Sequence, residues 1–104
     1  MRGSCLHVIS HKALREFAIK HPDAAAPLED WYKIAVAARW QNLNEVRATF
    51  PHADLVGACT AFNIGGNKYR LVTIIIYAVK RVYIRFVMTH AEYDRGRWKH
   101  DCGC

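Results

Sequence analysis

Leu14, Phe17 and Ala18 fall at helical spacing between Ser10, a residue type that caps helix starts, and Pro22, which cannot continue one. The pattern predicts a first helix over that span. Leu28, Trp31, Tyr32, Ala35 and Ala38 then recur along one face, predicting a second helix that starts near Pro27. A shorter helix from Leu43 to Phe50 is closed by Pro51. Ahead of the helices, CLHVIS (Cys5–Ser10) is short and β-prone and reads as an opening strand. After Pro51 the pattern becomes that of strands: one from Val56 through Phe62 and Ile64, one from Lys68 to Tyr77, and one from Val82 to Met88. Gly65-Gly66 suits a tight hairpin, since both central residues of a type I′ turn need positive φ. In THAEYD, after Met88, regular alternation stops.

Pairing the last two strands about a Tyr77–Val82 hairpin end sets Ile75 opposite Ile84, Thr73 opposite Phe86 and Leu71 opposite Met88. That face is apolar and packs the helices. The other face then gathers Lys68, Arg70, Tyr83 and Arg85, with Val72, Ile74, Ile76 and Val87 between them. A one-residue slip would bury the cations, so alternation sorts them outward. The expected result is a sheet with a basic outer face.

Composition narrows the class. A chain of 104 residues holds one domain, and 52% hydrophobic residues exclude disorder. Fifteen Lys and Arg against nine Asp and Glu give a net charge of +6, which favours polyanionic partners such as nucleic acid. LVTIIIYAV is interrupted by Lys80, Arg81 and Arg85, far short of the roughly 20 apolar residues of a membrane span. Met1–Ser4 is too short and polar to lead a signal peptide, so the expectation is a cytoplasmic protein with reduced thiols. Cys5, Cys59, Cys102 and Cys104 form no C-x-x-C knuckle. His100, Cys102 and Cys104 in the terminal HDCGC are a conceivable soft-metal cluster, but a frayed tail from about residue 99 is the expectation. No repeat or linker interrupts the chain.

Arginine and lysine on an outer sheet face bind phosphate, or simply guard strand edges against aggregation. Lys80 and Arg81, at a turn, fit the guarding role. For Arg70 and Arg85 the two readings balance until His90 and Tyr93 are added. An imidazole three residues before a phenol, next to an arginine, supplies what RNA cleavage needs. A base takes the 2′-hydroxyl proton, a cation stabilises the crowded phosphate, and an acid protonates the leaving 5′-oxygen. For His7, His11, His21 and His52 a helix-capping or packing role is the default.

FNIGGNKYRLV, followed by VYIRFVMTHAEYD, resembles the HigB-type toxins of bacterial toxin–antitoxin pairs, relatives of the RelE-like messenger-RNA interferases. The likeness extends over nearly the whole chain. It implies an α+β single domain, with helices on one face of a small antiparallel-dominated sheet. It implies cleavage of messenger RNA, usually on translating ribosomes; with the basic face and His90 supplying charge stabilisation and proton transfer, no metal or other cofactor is expected. It also implies neutralisation by a HigA-type helix-turn-helix antitoxin, through which alone the toxin would meet DNA. The motifs point to Arg70 and His90 as catalytic residues, with Tyr93 and Lys68 as helpers. Arg85, Lys80, Arg81 and Asn67 are the RNA-binding candidates. One departure is Ile74, on the face of Arg70, where many members carry a basic residue. The competing reading is a non-catalytic or attenuated RNA- and antitoxin-binding module of the same fold.

Overall fold

The computed structural model describes residues 6–103. Met1–Ser4, the Cys5 start of the expected first strand and Cys104 lie outside them. The chain runs β1 (His7–Ile9), α1 (His11–Lys20), a 3₁₀ turn (Pro22–Ala24), α2 (Ala25–Ala37), α3 (Leu43–Thr49), β2 (Asp54–Val56), β3 (Cys59–Ile64), β4 (Tyr69–Ile76) and β5 (Arg81–Thr89). α4 (His90–Arg95) and a 3₁₀ segment (Arg97–Cys102) complete it. The strands form one sheet in the order β1-β5-β4-β3-β2, antiparallel except for the parallel β1–β5 pair. This is the expected α+β class.

The predicted helices form where the apolar spacing put them. Ser10 occupies the cap position of α1 without a side-chain hydrogen bond, whereas Asn42 caps α3 by accepting from the Glu45 amide. Pro27 falls inside the first turn of α2, where its missing N–H costs nothing. Leu14, Leu28, Trp31, Ala35 and Val46 close over Phe62, Leu71 and Val82 to make the main core. Trp31 meets Phe62 edge to face at 5.3 Å. The strand expected from Val56 to Ile64 is two strands, broken at Gly57. Gly65 and Gly66 turn the β3–β4 hairpin with φ of +62° and +68°, the backbone the sequence predicted, within a loop reaching Lys68.

The β4–β5 register differs from the expected one. Ile75 pairs with Val82 and Thr73 with Ile84, while beyond a bulge Val72 pairs with Phe86, Leu71 with Val87 and Arg70 with Met88. The bulge leaves Arg85 without a partner and flips every later side chain of β5. Phe86 and Met88 therefore leave the helix face, and Val87 joins it.

The second sheet face is not a bare basic surface. Cys59, Ala61, Val72, Met88, Trp98 and Cys102 form a second buried cluster there, with Ile74, Phe86 and Tyr93 at its margin. The C-terminal segment expected to fray instead covers this face, with Trp98 and Cys102 buried. A Cys59–Cys102 disulfide and the Ala58 amide donating to the Cys102 carbonyl at 2.7 Å fasten it. The expected reduced state thus fails for these two thiols, because folding of the tail over β3 joins cysteines 43 residues apart.

Candidate functional site

Arg70 is the second residue of β4, between Asn63 of β3 and Met88 of β5, and is only 9% exposed. The loop begun by Gly65-Gly66 brings Asn67 back over it. Nη2 donates to the Asn67 side-chain oxygen at 2.9 Å, and Nη1 donates to the Tyr69 and Asn67 carbonyls at 3.2 and 3.4 Å. The guanidinium lies 5.2 Å from the centroid of the Tyr93 ring. Among the described residues no carboxylate pairs with it. A mostly buried cation with neutral partners keeps its charge for an incoming anion.

Tyr93 is positioned by local sequence. Thr89 and Glu92 form a reciprocal capping box, which starts α4 where the strand alternation ends in THAEYD. The Tyr93 ring stacks on Trp98 at 4.8 Å, and its carbonyl accepts from the Trp98 indole N–H at 2.9 Å. Burial pushes the phenol pKa up, Asp54 and Asp94 push the same way, and Arg70 opposes them. The neutral phenol is thereby favoured over the phenolate.

Arg70 and Tyr93 line a groove of about 510 Å³ with Arg47, His52, Asp54 and Asn63. The Arg47 Nε–H donates to the Ala53 carbonyl at 3.0 Å, tying α3 to this wall. Arg47 and Asn63 are not singled out by the sequence, which gives His52 a structural role by default. Their groove is assembled from α3, the Pro51-His52 turn, β2, β3, β4 and α4, and no local pattern links those segments.

The remaining candidates are more dispersed. His90 opens α4 one turn before Tyr93, with its backbone N–H on the Lys68 carbonyl and its ring Nε2 3.3 Å from Asp94. It is not among the groove-lining residues. Lys68 reaches Asp23 at 3.3 Å, and the Tyr69 hydroxyl donates to the same carboxylate at 2.6 Å. The Tyr69 bond above all holds the Asp23 carboxyl below its usual range and raises the Tyr69 phenol. Arg85 lies 5.9 Å from the Phe86 ring centroid and 4.0 Å from Asp101. Lys80 and Arg81 follow the far end of β4, about 20 Å from Arg70 at the usual rise of a strand. They cannot compensate there for Ile74, which packs at the margin of the second core. Cys102 is committed to the disulfide, so the terminal cluster loses its central metal donor. Among the described residues no three His, Cys, Asp or Glu converge as metal ligands, and no helix is long and apolar enough to cross a membrane.

A small sheet packed by helices on one side, with a groove holding Arg70 and Tyr93 on the other, is a compact α+β arrangement of the RelE-like kind. Residues 24–96 match the family model described as HigB_toxin, RelE-like toxic component of a toxin-antitoxin system. The chain belongs to this family, and membership implies an antitoxin partner. It is 33% identical over 92 residues to the mRNA interferase toxin HigB of Escherichia coli (strain K12), covering 86% of this chain and 88% of that one. The mRNA interferase HigB of Shigella flexneri matches over the same shares at 33% identity. The mRNA interferase HigB of Escherichia coli O6:H1 is 29% identical over 93 residues, 86% of this chain and 90% of that one.

Proposed function

We propose that this protein is the toxin of a toxin–antitoxin pair and an endoribonuclease that cuts messenger RNA in the cytoplasm, on translating ribosomes. The observation that carries the reading is Arg70, a mostly buried guanidinium held by neutral partners at the wall of an open groove. Arg70 stabilises the charge that develops on the phosphate as the 2′-oxygen attacks. Tyr93, a neutral phenol beside Arg70 on the groove wall, gives its proton to the leaving 5′-oxygen. The proton acceptor is an imidazole: His90, with Asp94 to orient it, is the choice of the sequence motif, and His52 is the imidazole on the groove wall. Asn67 positions Arg70, and Lys68 supports the adjoining loop. Arg85, Lys80 and Arg81 extend the contact with RNA backbone, and the chemistry uses no metal. The partner is a HigA-type helix-turn-helix antitoxin, which supplies any contact with DNA.

Expression without the antitoxin tests this. Growth arrest with cleaved transcripts is the expected outcome. Normal growth with intact messenger RNA, at verified soluble expression, contradicts it and favours the non-catalytic module.

A further inference from the structure

β1 covers β5 only from Arg81 to Tyr83, because the chain leaves β1 at Ile9 and turns into α1 at His11. From Ile84 to Thr89 no strand lies beside that edge among the described residues. Its outward backbone groups therefore form an open row of donors and acceptors. A groove borders the row on each face of the sheet. On the helix side one of about 290 Å³ lies between Phe17 and Lys20 of α1 and Ile84 and Val87 of β5. On the tail side one of about 420 Å³ lies between Phe86 and Met88 of β5 and Arg95, Arg97 and Trp98.

We propose that this open half of β5 accepts an extended, acidic and apolar segment of the antitoxin as an added strand, an inference that rests on the toxin–antitoxin reading above. An added strand pairs its main chain with the edge and sends alternate side chains to opposite faces, which is what two flanking grooves accommodate. Cations line the edge: Lys20, Arg95 and Arg97, with Arg85 paired to Asp101. The nearby carboxylates are already engaged, Glu16 with Lys12 at 3.8 Å, Glu92 in the α4 cap and Asp101 with Arg85 at 4.0 Å. RNA has no strand backbone to pair with a row of amides, so the edge selects a peptide. A second copy of this chain, also at +6, is repelled, and the bulge at Arg85 spoils symmetrical edge pairing. The site is separate from the Arg70 groove, so a bound strand need not occupy the catalytic wall.

Amide hydrogen exchange on the toxin alone and in complex with its antitoxin tests the proposal. The expected result is new protection of the β5 amides between Ile84 and Thr89 that face away from β4. Lys20→Glu combined with Arg97→Glu should weaken the complex roughly tenfold or more, while RNA cleavage by the free toxin stays at the wild-type rate. A complex that leaves those amides exchanging as in the free toxin overturns the proposal. So does protection produced by a single-stranded RNA oligonucleotide, or by raising the concentration of the toxin alone. A toxin that cuts no RNA, yet gains β5 protection in the complex, refutes the nuclease reading and leaves the docking site standing.

Discussion

Breaking the Cys59–Cys102 bridge should loosen the tail that covers the second sheet face. The bridge closes a loop between residues 43 apart in sequence. For a loop of that length the chain-entropy model gives about 4 kcal/mol of stabilisation through the unfolded state. With a urea slope of about 2 kcal/mol/M, the denaturation midpoint should fall by about 2 M. The assay compares oxidised wild type, the same protein in a dithiol reductant, and Cys59→Ala/Cys102→Ala. The reduced protein keeps both buried sulfur atoms, so it separates loss of the cross-link from the cavity left by alanine. Because Tyr93 stacks on Trp98, four residues before Cys102, near-ultraviolet circular dichroism should change with the midpoint. Equal midpoints for oxidised and reduced protein would refute the reasoning, as would rapid alkylation of both thiols in folded, oxidised material.

Three further outcomes follow from the geometry. The raised Tyr93 pKa means that wild type should lose stability above about pH 10, where the phenol ionises more readily unfolded than folded, and Tyr93→Phe should lose less. Identical alkaline unfolding profiles would remove burial as the cause. The lowered Asp23 pKa works in the opposite direction: its contribution is complete above 3.8, the ordinary value, and is lost as pH falls through the lower folded value. Asp23→Asn should flatten the acid limb of the stability profile, and an unchanged limb would mean that the Tyr69 and Lys68 contacts are not held in solution. Finally, His52→Gln and His90→Gln should both melt like wild type, and the one that loses single-turnover cleavage identifies the proton acceptor. Full activity in both variants would exclude an imidazole base.

Much of the fold was legible because it follows from short-range rules. The spacing of Leu28, Trp31, Tyr32 and Ala35 marks α2, and Gly65-Gly66 marks the turn that delivers Asn67 and Arg70. The register of β5 was not legible, since a bulge opposite the Val72–Thr73 step changes which face every later residue takes and leaves no compositional trace. The covered second face was missed for a related reason. Trp98 and Cys102 act as core residues only after α4 and the disulfide fold the tail back, and six residues of 3₁₀ helix carry no strong periodicity. Of the groove residues, Arg70 and Tyr93 were singled out in the sequence because each stands in a recognisable local motif. His52 and Arg47 were not, because only tertiary folding brings α3 and the following turn to the same groove.

The most direct test of the central claim is single-turnover cleavage of messenger RNA by Arg70→Ala, on purified ribosomes or on free RNA if that suffices, with a thermal melt of the same preparation. Loss of one transition-state charge stabiliser should lower the rate by roughly two orders of magnitude or more while the fold survives. A folded Arg70→Ala variant that cuts at the wild-type rate would contradict the account and take the groove out of the chemistry.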